Sequence, residues 1–309
     1  MLYIPAHALF DRPMTSRFAA ALLASVLVTA APAADPPATP ADAVSRAPAA
    51  AWRAIPADEL LVMTIEGKRR IVIQLAPRFD PGHVANIRTL AKAGWWDGTS
   101  INRVQDNYVV QWGDVTERKP LPPGMPTDLK PDYARPLDEF RSGLVRLPYP
   151  DSYAPATGFV DGWPVAMDGQ AAWLPHCYSF VGVGRNNAPD AGTGAELYAV
   201  IGHAPRQLDR NIAVVGRVIE GMASLAGLPR GTGEIGFYTA QEHKVPILSA
   251  RLASDLPPAE RPAFEVMDVT SSSFADYLRL RANRKDDFYI RPAGGVDLCN
   301  VPVPVRPAR

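Results

Sequence analysis

The sequence predicts a mainly β protein: a closed antiparallel barrel with two capping helices, a long proline-rich insertion and a C-terminal extension. Three observations lead there. Short runs rich in β-branched residues recur at 60–65, 70–75, 100–104, 108–112, 178–183, 197–201, 213–218 and 247–253, each of ordinary strand length. Two helical patterns fall between them, which suits helices laid over the open ends of a barrel. The 32 prolines are about twice the average share, and they cluster outside the strand runs.

Taken in order, the chain begins with a secretory pattern. Arg17 precedes the apolar run from Phe18 to Ala31, and Ala31-Pro32-Ala33 supplies small residues for cleavage. Residues 1–33 therefore read as a signal peptide whose translation starts at Met1 or at Met14. The apolar run is too short to span a bilayer, which needs about 20 residues. Residues 34–56, rich in Ala and Pro, read as a disordered linker. Leu60–Ile65 and Arg70–Leu75, separated by Glu66-Gly67-Lys68, form a hairpin signal. Asp80-Pro81 then offers an N-cap and a first-turn proline, Val84, Ile87 and Ala91 keep helical spacing, and Gly94 stops the helix.

Asp97-Gly98 turns the chain into the 100–104 strand. From 115 to 176 periodicity disappears and eleven prolines accumulate, so this stretch reads as an inserted loop, functional or mobile. A short helix is expected around 220–226. The barrel domain then runs from 57 to 253, and 254–309 lies outside it. One helix near Phe274–Arg284, with Ser273 as a possible cap, is the tail's firm element. Its basic residues Arg279, Arg281 and Arg284 suit a C-terminal turn.

Lys plus Arg and Asp plus Glu balance at 32 each, so net charge gives no attraction to nucleic acid or to anionic lipid. Once the signal is cleaved, the sequence calls for no membrane contact, and it gives no sign of an oligomer. Its two cysteines, Cys177 and Cys299, either pair in an oxidising compartment or stay as buried thiols. They lack metal spacing, and no cofactor or metal is expected.

The stretch 94–114 carries the most chemical information. Trp96-Asp97-Gly98-Thr99, Arg103-Val104, Tyr108 and Gln111 resemble the signature of cyclophilin-type peptidyl-prolyl cis-trans isomerases. Gly194 to Val200 resembles a second block of that family. Leu208-Asp209, followed by Val215 to Met222, resembles a third, and Asp138-Glu139-Phe140 a short acidic-aromatic motif between blocks. The resemblance covers residues 60–253 and implies a cyclophilin-like barrel with prolyl isomerase activity.

Carried over by position, Arg103 would be the catalytic cation and Gln111 its orienting partner. Tyr108, Val109, Glu196, Tyr198 and Leu208 would line the substrate groove. Three departures stand out. Ile101-Asn102 replaces the family's Phe-His, Glu196 replaces a glutamine and brings a negative charge toward Arg103, and Ile212 replaces a pocket histidine. The expected function is isomerisation of X-Pro bonds in unfolded or newly exported polypeptides of a bacterial periplasm. The alternative is a catalytically weak proline-binding or chaperone module using the same groove. Gly231 to Gly236 fits a dinucleotide-binding pattern without the surrounding βαβ unit and reads as a loop. His83, His176, His203 and His243 show no metal spacing.

Overall fold

The computed structural model describes residues 38–308 apart from 115, 117 and 132; the expected signal peptide lies outside them. The barrel is built from β2 (Leu60–Ile65), β3 (Arg69–Leu75), β4 (Ser100–Val104), β5 (Val109–Gly113), β11 (Phe180–Val183), β12 (Leu197–Val200), β13 (Val214–Glu220) and β14 (Val245–Leu252). These eight close in the order β11-β12-β5-β4-β14-β2-β3-β13, with every pair antiparallel. The expected closed barrel is therefore present, with strand ends shifted by a residue or two.

The 3.6-residue spacing puts Val84, Ile87, Leu90 and Ala91 of α2 (Pro81–Lys92) into the barrel core. Asp80 caps that helix by accepting from the His83 backbone N–H at 3.0 Å, a contact worth about 1 kcal/mol. Leu225 of the short α3 (Met222–Ala226) joins the same core.

Leu61, Met63 and Ile65 point into the barrel, whereas Leu60 and Val62 belong to a second core outside it. That is the two-residue period of a strand buried on both faces. What covers the outer face departs from the sequence reading. The 115–176 insertion is not a structureless loop: β6 (Arg135–Pro136), β7 (Val145–Arg146), β8 (Ala156–Val160), β9 (Trp163–Met167) and β10 (Ala171–Trp173) form a sheet in the order β6-β10-β9-β8-β7. Asp161 and Gly162 turn β8 into β9 with φ of 51° and 81°, the left-handed pair that a two-residue hairpin requires.

The linker reading of 34–56 is also corrected within the described residues. Pro40–Ser45 form helix α1, capped by Thr39, and β1 (Trp52–Ala54) pairs with β15 (Phe264–Met267). Strand β16 (Val305–Pro307) completes that three-stranded sheet. Helix α4 (Ser272–Asn283) is capped by Ser271, not Ser273, through the Phe274 backbone N–H. Its Phe274 meets Phe159 of β8 edge-on, with centroids 5.0 Å apart. The basic residues of α4 engage the tail itself: Arg279 pairs with Asp276, Arg281 donates to the Asn300 carbonyl, and Arg284 pairs with Asp286. A disulfide joins Cys177, just before β11, to Cys299.

Candidate active site

Strands β4 and β5 place Arg103 directly across from Gln111. A bulge between Ile101 and Arg103 re-aims the arginine. Asn102 is buried and donates its side-chain amide to the Gly113 carbonyl at 2.8 Å. It stands where the resemblance expects histidine, and here it is bonded to the edge of the bulge. Tyr108 follows the tight turn at Asn107, whose φ of 50° is tolerated best by asparagine and aspartate among side-chain-bearing residues.

The guanidinium of Arg103 is half-buried and held by neutral acceptors. Its Nε donates to the Ile235 carbonyl at 2.8 Å, Nη1 to Gln111 Oε1 at 3.3 Å, and Nη2 to Gln105 Oε1. The rings of Tyr108 and Phe237 lie 5.6 and 5.5 Å from its central carbon, within cation–π range. Burial lowers its pKa from the ordinary guanidinium value, with Tyr108 and Tyr198 opposing the shift. It remains a cation at neutral pH.

Arg103 opens on a cavity of about 720 Å³ that Tyr108, Val109, Gln111, Glu196, Tyr198 and Leu208 also line. The structure thus brings all seven expected site residues to one concavity. Val109, Tyr198 and Val200 form a small buried apolar cluster, with Ile212 packed against it. The Glu196 side chain lies over Gly113, where an added Cβ would sit 2.2 Å from Oε1. Phe140 does not reach the cavity. It stacks on Phe79 at 4.7 Å between the insertion and the barrel.

Sequence reasoning missed three contributors. Ile235 lies within the Gly231–Gly236 loop after α3, and Phe237 follows it directly. Ile235 adopts φ 46°, an outlier for a β-branched residue, while offering its carbonyl to Arg103. The third is His176, whose Nε2 lies 2.9 Å from the Tyr198 hydroxyl. The buried Tyr198 phenol is pushed well above its ordinary pKa, chiefly by desolvation. No signal in the sequence around His176 pairs it with a tyrosine on another strand.

A family model described as cyclophilin-type peptidyl-prolyl cis-trans isomerase matches residues 60–251. Among solved structures, a cyclophilin from Hirschia baltica is similar, with a TM-score of 0.65 and 25% identity. It covers 83% of this chain and 93% of its own, more than the barrel segment alone supplies. A cyclophilin-type isomerase from Cryptosporidium parvum, solved in the presence of the dipeptide ala-pro, aligns with a TM-score of 0.40 and 12% identity. That alignment covers 62% of this chain and 98% of the other, a likeness too distant to bear on function. No curated protein matches the sequence significantly.

Proposed function

The chain belongs to the cyclophilin-type peptidyl-prolyl cis-trans isomerases, and we propose that it acts on X-Pro bonds of newly exported polypeptides, with Arg103 as the catalytic cation. An X-Pro bond resists rotation because its C–N bond is partly double, and uncatalysed exchange takes roughly 10–100 s. Twisting the bond ends the resonance and leaves an electron pair on the prolyl nitrogen. A fixed donor beside that nitrogen, or beside the neighbouring carbonyl, stabilises the twisted state more than either planar one. Such differential binding needs no covalent step and no cofactor.

The single observation that carries this reading is the setting of Arg103: a half-buried cation, bonded to neutral oxygens, on a cavity with an apolar patch in its wall. Its charge is held in place and available to a substrate. Val109, Tyr198 and Leu208 give the hollow an apolar wall suited to a proline ring. Gln111, on the facing strand, orients the guanidinium. The signal pattern of residues 1–33 and the Cys177–Cys299 disulfide support an oxidising extracytoplasmic compartment and, with it, exported chains as substrates.

The test is peptide exchange by NMR on a short Xaa-Pro substrate with wild type and Arg103→Ala. Removing one preorganised donor from a developing charge costs about 100- to 1000-fold in kcat. Wild-type turnover in a folded Arg103→Ala protein would overturn the assignment.

A further inference from the structure

We propose that His176 is a positioning residue for this reaction: anchored by Asp209, it pins the Tyr198 ring as a wall of the proline hollow and ties that wall to the insertion. This rests on the functional reading above and deepens it.

His176 is 1% exposed and sits between two partners. Its Nδ1 lies 3.1 Å from Asp209 Oδ1, and its backbone N–H donates to the same oxygen at 2.9 Å. An ionised carboxylate only accepts, so Nδ1 carries a proton, and in the neutral imidazole Nε2 is the acceptor. Burial alone would raise the Asp209 pKa, but the His176 hydrogen bond and the Arg206 charge outweigh it and hold the group below its ordinary value. The Tyr198 hydroxyl lies 2.9 Å from Nε2, within hydrogen-bond distance of that ring nitrogen.

The opposite side of the tyrosine is equally defined. A Cβ at Gly182 would lie 2.3 Å from both Cζ and the hydroxyl oxygen of Tyr198, so the ring lies in a slot over that glycine. With its tip bonded and its face against backbone, the ring has one orientation. Pre-organisation of this kind strengthens binding by removing the cost of ordering the wall.

The anchor extends further. Arg206 Nε donates to Asp209 Oδ2 at 2.5 Å, and its two terminal nitrogens reach Asp151 at 3.1 and 3.2 Å. All three side chains are buried. Asp151 belongs to the insertion, and Arg206 shares a single helical turn with Leu208, another wall of the hollow. Two walls of the hollow therefore depend on one ionic network that the loop between β7 and β8 of the insertion completes.

The test measures peptide affinity and kcat separately, by NMR exchange, on the oxidised full-length protein. His176→Phe is expected to weaken peptide binding by about tenfold, within the coupling range of contacting residues, with kcat within about twofold of wild type. Tyr198→Phe removes the same hydrogen bond, so adding His176→Phe to Tyr198→Phe is expected to change affinity by less than about twofold. Asp151→Asn, at the far end of the network, is expected to weaken binding by about threefold, and serves if His176→Phe fails to fold. Arg103→Ala is the contrasting control, losing kcat while peptide binding persists. Its failure would strike the functional reading, whereas unchanged affinity in His176→Phe, or in Asp151→Asn should the former not fold, would overturn only the positioning role. A further loss of about tenfold when His176→Phe is added to Tyr198→Phe would also overturn it, because His176 would then not act through Tyr198.

Discussion

Reduction of the Cys177–Cys299 disulfide tests how the tail is held. The bond links residues 122 positions apart, and constraining a loop of that length removes entropy from the unfolded chain equivalent to about 5 kcal/mol at 25 °C. Unfolding entropy near 2.1 cal/mol/K per residue gives a domain of this size a total of about 0.57 kcal/mol/K, so the expected fall in Tm is roughly 9 °C. Thermal unfolding followed by circular dichroism, with and without reductant, reads this directly. A Cys177→Ser/Cys299→Ser protein should melt where reduced wild type does and ignore reductant. Leu298, Val301 and Val303 pack the same segment into the outer core. A shift under about 3 °C would mean that this packing, and not the covalent link, fixes the tail, and would refute the entropic account.

Gly182→Ala places a methyl 2.3 Å from the Tyr198 ring tip. It is expected to destabilise the fold by about 1–3 kcal/mol in urea unfolding and to weaken peptide binding in the exchange assay. His83 is buried, which by itself lowers its pKa, but its contacts with Asp80 and the Ala191 and Gly192 carbonyls raise it above the usual 6.5. Its stabilising contribution is therefore full below pH 6.5 and lost as pH rises through the raised folded value. Asp80→Asn keeps a good helix cap and should flatten that slope in urea unfolding at pH 6 and pH 9; an unchanged slope would refute it. If the N-terminal pattern is a cleaved signal, protein recovered from the periplasm should begin at Ala34 on N-terminal sequencing, and an intact N-terminus would refute export by that route.

Much of the barrel was legible because both determinants are local. Strands such as Leu60–Ile65 carry mostly apolar runs, and α2 announces itself through Asp80, Pro81 and helical spacing. Arg103, Tyr108 and Gln111 sit on one hairpin, so their proximity was also a local matter. The inserted sheet was harder to read. Its strands are two to five residues long, and Pro164 inside β9 argues against a strand. Pro164 is tolerated because β10 pairs only with the far end of β9, at Ala166 and Met167. The Asp161-Gly162 turn between apolar runs was a hairpin signal available in the sequence. The unbroken apolar character of Leu60–Met63 was a second clue, because it requires a cover on the outer face. The His176 network had no such signal. It assembles Asp151, His176, Tyr198, Arg206 and Asp209 from four separate segments, and contacts of that range leave no spacing to read.

The pairing of β1 with β15 has a consequence for synthesis. A chain delivered from its N-terminus exposes Trp52–Ala54 early, but the strand's partner emerges almost last. Until then the edge stays open to unwanted pairing with other chains, and the late, long-range closure makes for slow folding. Products ending before Phe264 lack that closure permanently and are expected to aggregate, even though every barrel strand is present in them.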